Sequence, residues 1–397
     1  MPDRVAIVGT SAIPNGRHQT AETEALQTLE HEILARLVVD AVRDAGVDKR
    51  DIDSLVFTLP RPYTRQKYLH TFLIGQLRLP CTGTAMEVMG NGMTGGLAFD
   101  QACNEILLGR AKVALALGIN MESAVPAAEH AMSSMRTTGD VDFHVPAGFT
   151  PIAWYAMDAA RYMHEYGATR RHLAAVAVKN RWHASMNPLA QYRKPITIDE
   201  VVAQRPIVEP LGLYDVPPRG DGAACIVVTT EEIARSLGRP YVLVSGRGFC
   251  HDGSHQISDV PNDMVAFEAA REASARAYAQ AGITAADVDL ADVYAPCTIV
   301  EVLVSEALGL CPRGHGAGAA LDGDTKVGGR IPISTSGGLT SRGHPAYVTS
   351  LYNYHEIAEQ LRGRAGERQV KDARFAVGTG ELGNYNAAMV HVFEGVR

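Results

Sequence analysis

One stretch of this chain is written twice, and no other feature limits its fold so strongly. Ala45-Gly46-Val47, followed by Asp51-Ile52-Asp53, leads into Ser54-Leu55-Val56-Phe57. Ala281-Gly282-Ile283, followed by Asp287-Val288-Asp289, leads into Leu290-Ala291-Asp292-Val293 with every match at the same offset. Each copy reads as a helix end, a glycine stop, a loop with paired acids and a strand. Two unrelated helix-to-strand turns would be the plain alternative. The shared offsets instead predict a duplicated unit, with halves at about 1–235 and 236–397.

The surrounding pattern supports an α/β fold. Val5-Ala6-Ile7-Val8-Gly9 reads as a buried strand ending in a turn. Leu26, Leu29, Ile33, Leu37 and Ala41 recur with helical spacing, predicting a helix over 23–45. Strands are predicted at 52–59 and 113–117, with a helix over 93–108 between them. Alternation of this kind places helices over a sheet. Residues 120–214 break the rhythm, being rich in Met, His and Pro and too long for a plain connection. They read as an inserted loop domain with helices at 153–164 and 170–186, packed over a site.

Composition excludes several functions. The chain has 397 residues, 46% hydrophobic and 20% charged, so a large core is expected and global disorder is not. A formal net charge of -7 argues against a general binder of nucleic acid or anionic membranes. No secretory leader and no membrane span are expected. The six cysteines form no C-x-x-C pair, so a zinc ribbon in this chain and a disulfide scaffold are both unexpected. A cytoplasmic setting fits. His251 and His255 have helix-compatible metal spacing, but no further ligands accompany them, so no metal site is expected.

Three glycine-rich segments carry a family signal. They are Met89-Gly90-Asn91-Gly92-Met93-Thr94-Gly95-Gly96, the run from Gly328 to Pro345, and Val377-Gly378-Thr379-Gly380-Glu381-Leu382-Gly383. Alone, each is a weak sign of tight turns. The second contains P-x-x-T-S-G-G-L-x-S-x-G-H-P at 332–345, which resembles the thiolase superfamily. Asn187-Pro188-Leu189-Ala190-Gln191-Tyr192-Arg193 is similar to the family's loop domain, and Arg219-Gly220-Asp221-Gly222-Ala223-Ala224 to its D-G-A-A segment. The resemblance covers most of the chain and is nearest to the sterol-carrier-protein and lipid-transfer branch. It implies an α/β thiolase-like fold of two stacked α-β-α-β-α halves, an acyl-CoA substrate with no resident cofactor, and a homodimer.

The sequence departs from that family at its chemistry. Where the nucleophilic cysteine of C-[AS]-[ST]-G would stand there is Gly92, followed by Met93-Thr94-Gly95. The C-terminal glycine segment has no cysteine. The branch's H-D-C-F motif reads Tyr294-Ala295-Pro296-Cys297, so tyrosine replaces histidine. Of the usual set, only His344 of G-H-P remains. A Claisen-type thiolase needs a thiolate to carry the acyl group, and glycine cannot do so.

What remains suits enolate chemistry on a thioester. The resemblance extends to cysteine-free retro-aldolases that shorten steroid side chains with tyrosines near the thiolase histidine positions. Those enzymes work with a small OB-fold partner bearing a zinc ribbon. Retro-aldol cleavage of a β-hydroxyacyl-CoA is therefore the expected reaction. Its expected residues are Tyr294 for the β-hydroxyl proton, His344 for the enolate and Tyr347 as a further acid/base group. Gly92 and Gly380 are expected to supply backbone N–H groups, and Asn91, Met93 and Cys297 to line the pocket. Free tyrosine has a pKa of about 10, so a basic Tyr294 needs a helper. Asp221 is expected to order the loop-to-strand junction. Two rivals stand beside this reading: an acyltransferase with an unusual nucleophile, and a non-catalytic subunit of a lipid-degrading complex.

Overall fold

A computed structural model describes residues 4–18, 30–58, 68–123, 125–253, 263–383 and 385–397. Among the described residues nine strands form one mixed sheet: β1 (Val5–Ala12), β2 (Ser54–Thr58), β3 (Ala85–Val88), β4 (Val113–Asn120), β7 (Gly222–Thr230), β8 (Tyr241–His251), β9 (Leu290–Asp292), β10 (Phe375–Leu382) and β11 (Ala387–Val396). The short strands β5 (Pro206–Val208) and β6 (Leu211–Gly212) make a separate ribbon. The sheet order is β3-β2-β4-β7-β1-β8-β11-β10-β9. From the antiparallel β1–β8 pair at its middle, each side repeats one plan. An antiparallel strand comes next (β7 or β11), then another (β4 or β10), then a parallel one (β2 or β9).

The repeated sequence occupies equivalent places down to single hydrogen bonds. Gly46 and Gly282 end their helices with φ of 73° and 69°, in the left-handed region that favours glycine. Asp53 Oδ2 accepts the amides of Lys112 and Val113 (2.7 and 3.2 Å), at the start of β4. Asp289 Oδ2 accepts those of Arg374 and Phe375 (2.8 and 2.9 Å), at the start of β10. The second acid of each copy thus ties strand to neighbouring strand, which is why its spacing recurs.

Two helices, Thr94–Leu107 and Thr349–Leu361, lie between the two sides of the sheet. Phe99, Leu351 and Tyr354 share an apolar cluster with Val56, Ala114 and Ala224 from one side and with Leu290, Ala376 and Phe393 from the other. The outer faces are covered by Glu30–Ala45 on one side and by Glu268–Ala281 and Thr298–Ala307 on the other. The layers therefore run helix, one half of the sheet, helix, the other half of the sheet, helix.

The elements extend or trim the sequence expectations. The helix expected over 23–45 is described as Glu30–Ala45, and 23–29 lies outside the described residues. The strand expected at 52–59 is Ser54–Thr58, with Leu59 outside them. The strand expected at 113–117 runs on to Asn120. Within the inserted region, Pro151–Tyr166 and Arg170–Ser185 match the two expected helices, and Ala127–Thr138 is a third. Among the described residues no helix is long and apolar enough to cross a membrane.

Candidate active site

The turn Asn91–Met93 precedes the central helix Thr94–Leu107 and brings Asn91 and Gly92 to the wall of a cavity of about 500 Å³. Tyr294, Cys297, His344 and Glu381 line the same cavity from the second half of the chain. The inserted region supplies His130, Ile152 and Tyr155, so its helices do pack over the site.

Tyr294 sits two residues beyond β9, and its backbone is fixed on both sides. Its N–H donates to Thr379 Oγ1 (2.8 Å), and its carbonyl accepts from the Tyr385 hydroxyl (2.6 Å). Tyr385 is itself stacked on Phe267 with centroids 4.8 Å apart. His344 follows a π-helical turn, Gly338–Arg342. Gly343 bridges turn and histidine at φ 127°, and a β-carbon there would lie 2.6 Å from Asn15 Cβ, so glycine is required. Arg342 and Asp292, each two residues before a site residue, stand 3.6 Å apart and are buried. Burial works against both charges, raising the Asp292 carboxyl and lowering the Arg342 guanidinium. Ser336 holds Asp292 through its N–H and hydroxyl (3.0 and 3.1 Å), and Asn353 Oδ1 accepts from Arg342 (2.7 Å).

These supports bring the Tyr294 hydroxyl to 2.7 Å from His344 Nε2, with the rings 79° apart. At this distance the phenol and imidazole are within hydrogen-bond reach, the geometry that proton transfer between them requires.

Gly92 explains why the hydroxyl fits. A β-carbon on Gly92 would lie 2.6 Å from the Glu381 carbonyl oxygen, 2.8 Å from Tyr294 Oη and 2.9 Å from Tyr294 Cζ. The volume that a nucleophilic side chain would use is therefore filled by the phenol. Sequence reasoning saw an empty place at residue 92, and the structure shows an occupied one.

Other expected residues fall differently. Gly380 lies in β10 opposite Met389 and does not line the cavity, and a β-carbon on it would point toward Ser350 and Met93. Strand alternation turns its neighbour Glu381 toward the cavity in its place. Met93 packs with Ala387 and Met389 and does not line the cavity. Tyr347 is buried in the turn Ala346–Val348 and does not line it either. Pro345 stands between His344 and that turn with ψ 87°, so the two side chains are not successive points on one helix face.

Cys297 lines the cavity as expected, directly before the helix Thr298–Ala307, but it is fully buried. Burial pushes its thiol well above the usual range, as it does the Tyr155 hydroxyl, so both are protonated. Asp221 orders its junction: its carboxylate accepts the amides of His18, Glu122 and Ser123 at 2.8, 2.6 and 2.8 Å. His251 ends β8 and accepts the Gly253 amide, while His255 lies outside the described residues.

Sequence reasoning missed Glu381, Tyr155 and the pair Glu122–His130, bonded at 2.8 Å on the cavity wall. Only Glu381 had a signal, as a charged residue within a glycine-rich strand. The others come from the inserted region or its border, where no motif marks them.

The model for the thiolase N-terminal domain matches residues 5–232, and the thiolase C-terminal domain-like model matches 251–395. The chain is 31% identical to an acetyl-CoA acetyltransferase of Methanothermobacter thermautotrophicus, over 98% of this chain and 99% of that one. It is 33% identical to the 17-hydroxy-3-oxo-4-pregnene-20-carboxyl-CoA lyase of Mycobacterium tuberculosis, over 84% of this chain and 87% of that one. A solved structure described as the Ltp2-ChsH2(DUF35) aldolase superposes with a TM-score of 0.83 at 27% identity, covering 100% of this chain and 99% of the other.

Proposed function

The chain belongs to the thiolase family, and from that premise we propose that it is an acyl-CoA carbon–carbon lyase that splits a β-hydroxyacyl-CoA by a retro-aldol reaction. The observation that carries this reading is the 2.7 Å contact between Tyr294 and His344, made in the space above Gly92. Such a site holds a proton shuttle where a thiolase would hold a thiolate.

The steps balance on that shuttle. The substrate's β-hydroxyl gives its proton to Tyr294 Oη as the phenol passes its own to His344 Nε2. The Cα–Cβ bond breaks, its electron pair forming the thioester enolate while the β-carbon becomes the carbonyl of a ketone or aldehyde. The imidazolium of His344 then protonates Cα, releasing a shortened acyl-CoA. One proton leaves oxygen and one arrives on carbon, so no covalent intermediate and no net acid or base is needed. The enolate oxygen lies at the Asn91–Gly92 turn, where the positive end of the helix Thr94–Leu107 favours developing negative charge.

A lipid or steroid side chain is the acyl group of this reading, in keeping with the relative named as a pregnene carboxyl-CoA lyase. Coenzyme A enters as part of the substrate. The chain works as a homodimer through β3, an edge strand followed directly by the exposed Met89 and then the site turn. A small OB-fold partner with a zinc ribbon completes the complex. The description of the similar solved structure likewise couples an aldolase to a DUF35 component. A cytoplasmic setting accords with six unpaired cysteines.

The acyltransferase reading rests on the acetyltransferase relative and on Cys297 in the cavity wall. A fully buried, protonated thiol is a poor nucleophile, which ranks that reading second. The experiment is to incubate the protein, alone and with its OB-fold partner, with a panel of β-hydroxyacyl-CoAs. Equal amounts of carbonyl product and shortened acyl-CoA are expected. No cleavage of any member with the partner present would overturn the proposal.

A further inference from the structure

A second polar cluster lines the same cavity as Tyr294 and His344. Glu122 Oε2 and His130 Nε2 are 2.8 Å apart, and their side chains are only 3% and 19% exposed. The loop carrying Glu122 is held from both sides. Asp221 accepts its amides, and Arg219 Nη2 donates to the carbonyls of Glu122 (2.9 Å) and Val125 (2.7 Å). His130 belongs to the helix Ala127–Thr138, whose Ser134 and Thr137 follow on the same face and also line the cavity. A carboxylate and an imidazole hydrogen-bonded to each other in a largely apolar wall are costly to desolvate and are weak evidence for stability, so their rigid placement calls for a role in binding.

The chemistry of the cluster selects its ligand. If His130 donates Nε2–H to the carboxylate, its Nδ1 is an acceptor, and the carboxylate accepts as well. Glu381 adds a second carboxyl group to the same cavity. Among the described residues Arg219 is the one Lys or Arg in the lining, and its guanidinium is engaged by backbone carbonyls. A wall of this kind attracts an uncharged hydrogen-bond donor and repels an anion.

We propose that Glu122 and His130 form a subsite for a second hydroxyl group on the acyl chain, separate from the β-hydroxyl, and that the site discriminates against acyl groups ending in a carboxylate. The proposal rests on the acyl-CoA reading but not on cleavage, so its test uses thioesters that cannot be cleaved. Equilibrium binding is measured for decanoyl-CoA, for isomers carrying one hydroxyl at successive carbons beyond the β-position, and for the analogue ending in a carboxylate. One hydroxylated isomer is expected to bind about 10-fold tighter than decanoyl-CoA, and the carboxylate analogue more weakly than that isomer. Glu122→Gln and, independently, His130→Phe should each bring the ratio between the favoured isomer and decanoyl-CoA close to one. The proposal is overturned if no isomer gains affinity, if the carboxylate analogue binds best, or if both variants keep the ratio. Binding without cleavage of the corresponding β-hydroxyacyl-CoAs would leave the subsite standing and remove the lyase reading. Cleavage without any hydroxyl preference would do the reverse.

Discussion

The hydroxyl of Tyr294 lies 2.8 Å from the point that a β-carbon on Gly92 would occupy, so these two residues share one volume. A side chain at residue 92 and a phenol at residue 294 exclude each other. The missing thiol and the added hydroxyl are therefore one change in the site and not two.

Gly92→Ala follows directly. The methyl group must displace the Tyr294 ring or the Glu381 carbonyl, so lyase turnover is expected to fall by about 100-fold or more. The stability cost of the added carbon is about 1–3 kcal/mol. Turnover and urea midpoints on the same samples check both. A fall in stability with turnover intact would show that the hydroxyl is not needed where it stands.

Tyr294→Phe and His344→Ala are each expected to lower turnover by about 10²–10⁴-fold. In the proposed mechanism the two side chains hand on the same proton, so the double variant should be little worse than the poorer single one. Single-turnover kinetics on one β-hydroxyacyl-CoA measures this. Multiplying losses would mean that the residues act independently.

Cys297 is expected to stay unmodified. Incubation with acyl-CoA followed by intact-mass analysis should return the mass of the free chain, since a buried protonated thiol does not attack a thioester. An acyl adduct located on Cys297 would favour the acyltransferase.

His355 predicts a loss of stability on mild acidification. Burial holds its imidazole down to about 4, from an ordinary 6.5, and its Nδ1 bonds Thr10 Oγ1 at 2.9 Å. Between those values the unfolded chain binds the extra proton, so stability falls as pH drops from about 6.5 toward 4. In His355→Gln the dependence of Tm on pH across that window should be shallower than in the unmodified protein.

Asp44 acts in a lower window. Burial alone would raise its carboxyl, but the guanidiniums of Arg364 and Arg362 and the Thr10 amide outweigh it and hold the group at about 2. Its folded value is depressed, so its contribution is full above about 4 and disappears as pH falls through about 2. Allowing for solvent screening, Asp44→Asn is expected to cost roughly 1 kcal/mol at neutral pH. The difference from the unmodified protein should shrink toward pH 2 in urea titrations.

Some of this molecule could be read from local pattern. The repeated Ala-Gly and Asp-x-Asp spacing marks equivalent turns because each depends on a left-handed glycine and on an aspartate bonding two amides, both short-range requirements. The G-H-P motif identified His344, and the absence of sulfur at residue 92 was plain in the sequence. Tyr347 and Gly380 were harder, because their placement depends on which way a turn or strand faces, and one proline or one step of alternation reverses that.

The order of residues by itself determined the family, the doubled plan and the absence of a thiol nucleophile, since these rest on motifs and turns a few residues long. Only the tertiary structure decided what takes the thiol's place. Tyr294, His344 and Gly92 come from distant parts of the chain, and their meeting depends on Thr379, Tyr385 and the buried Asp292–Arg342 pair holding three separate segments against the start of one central helix. Contacts of that range follow from packing, which no local pattern encodes.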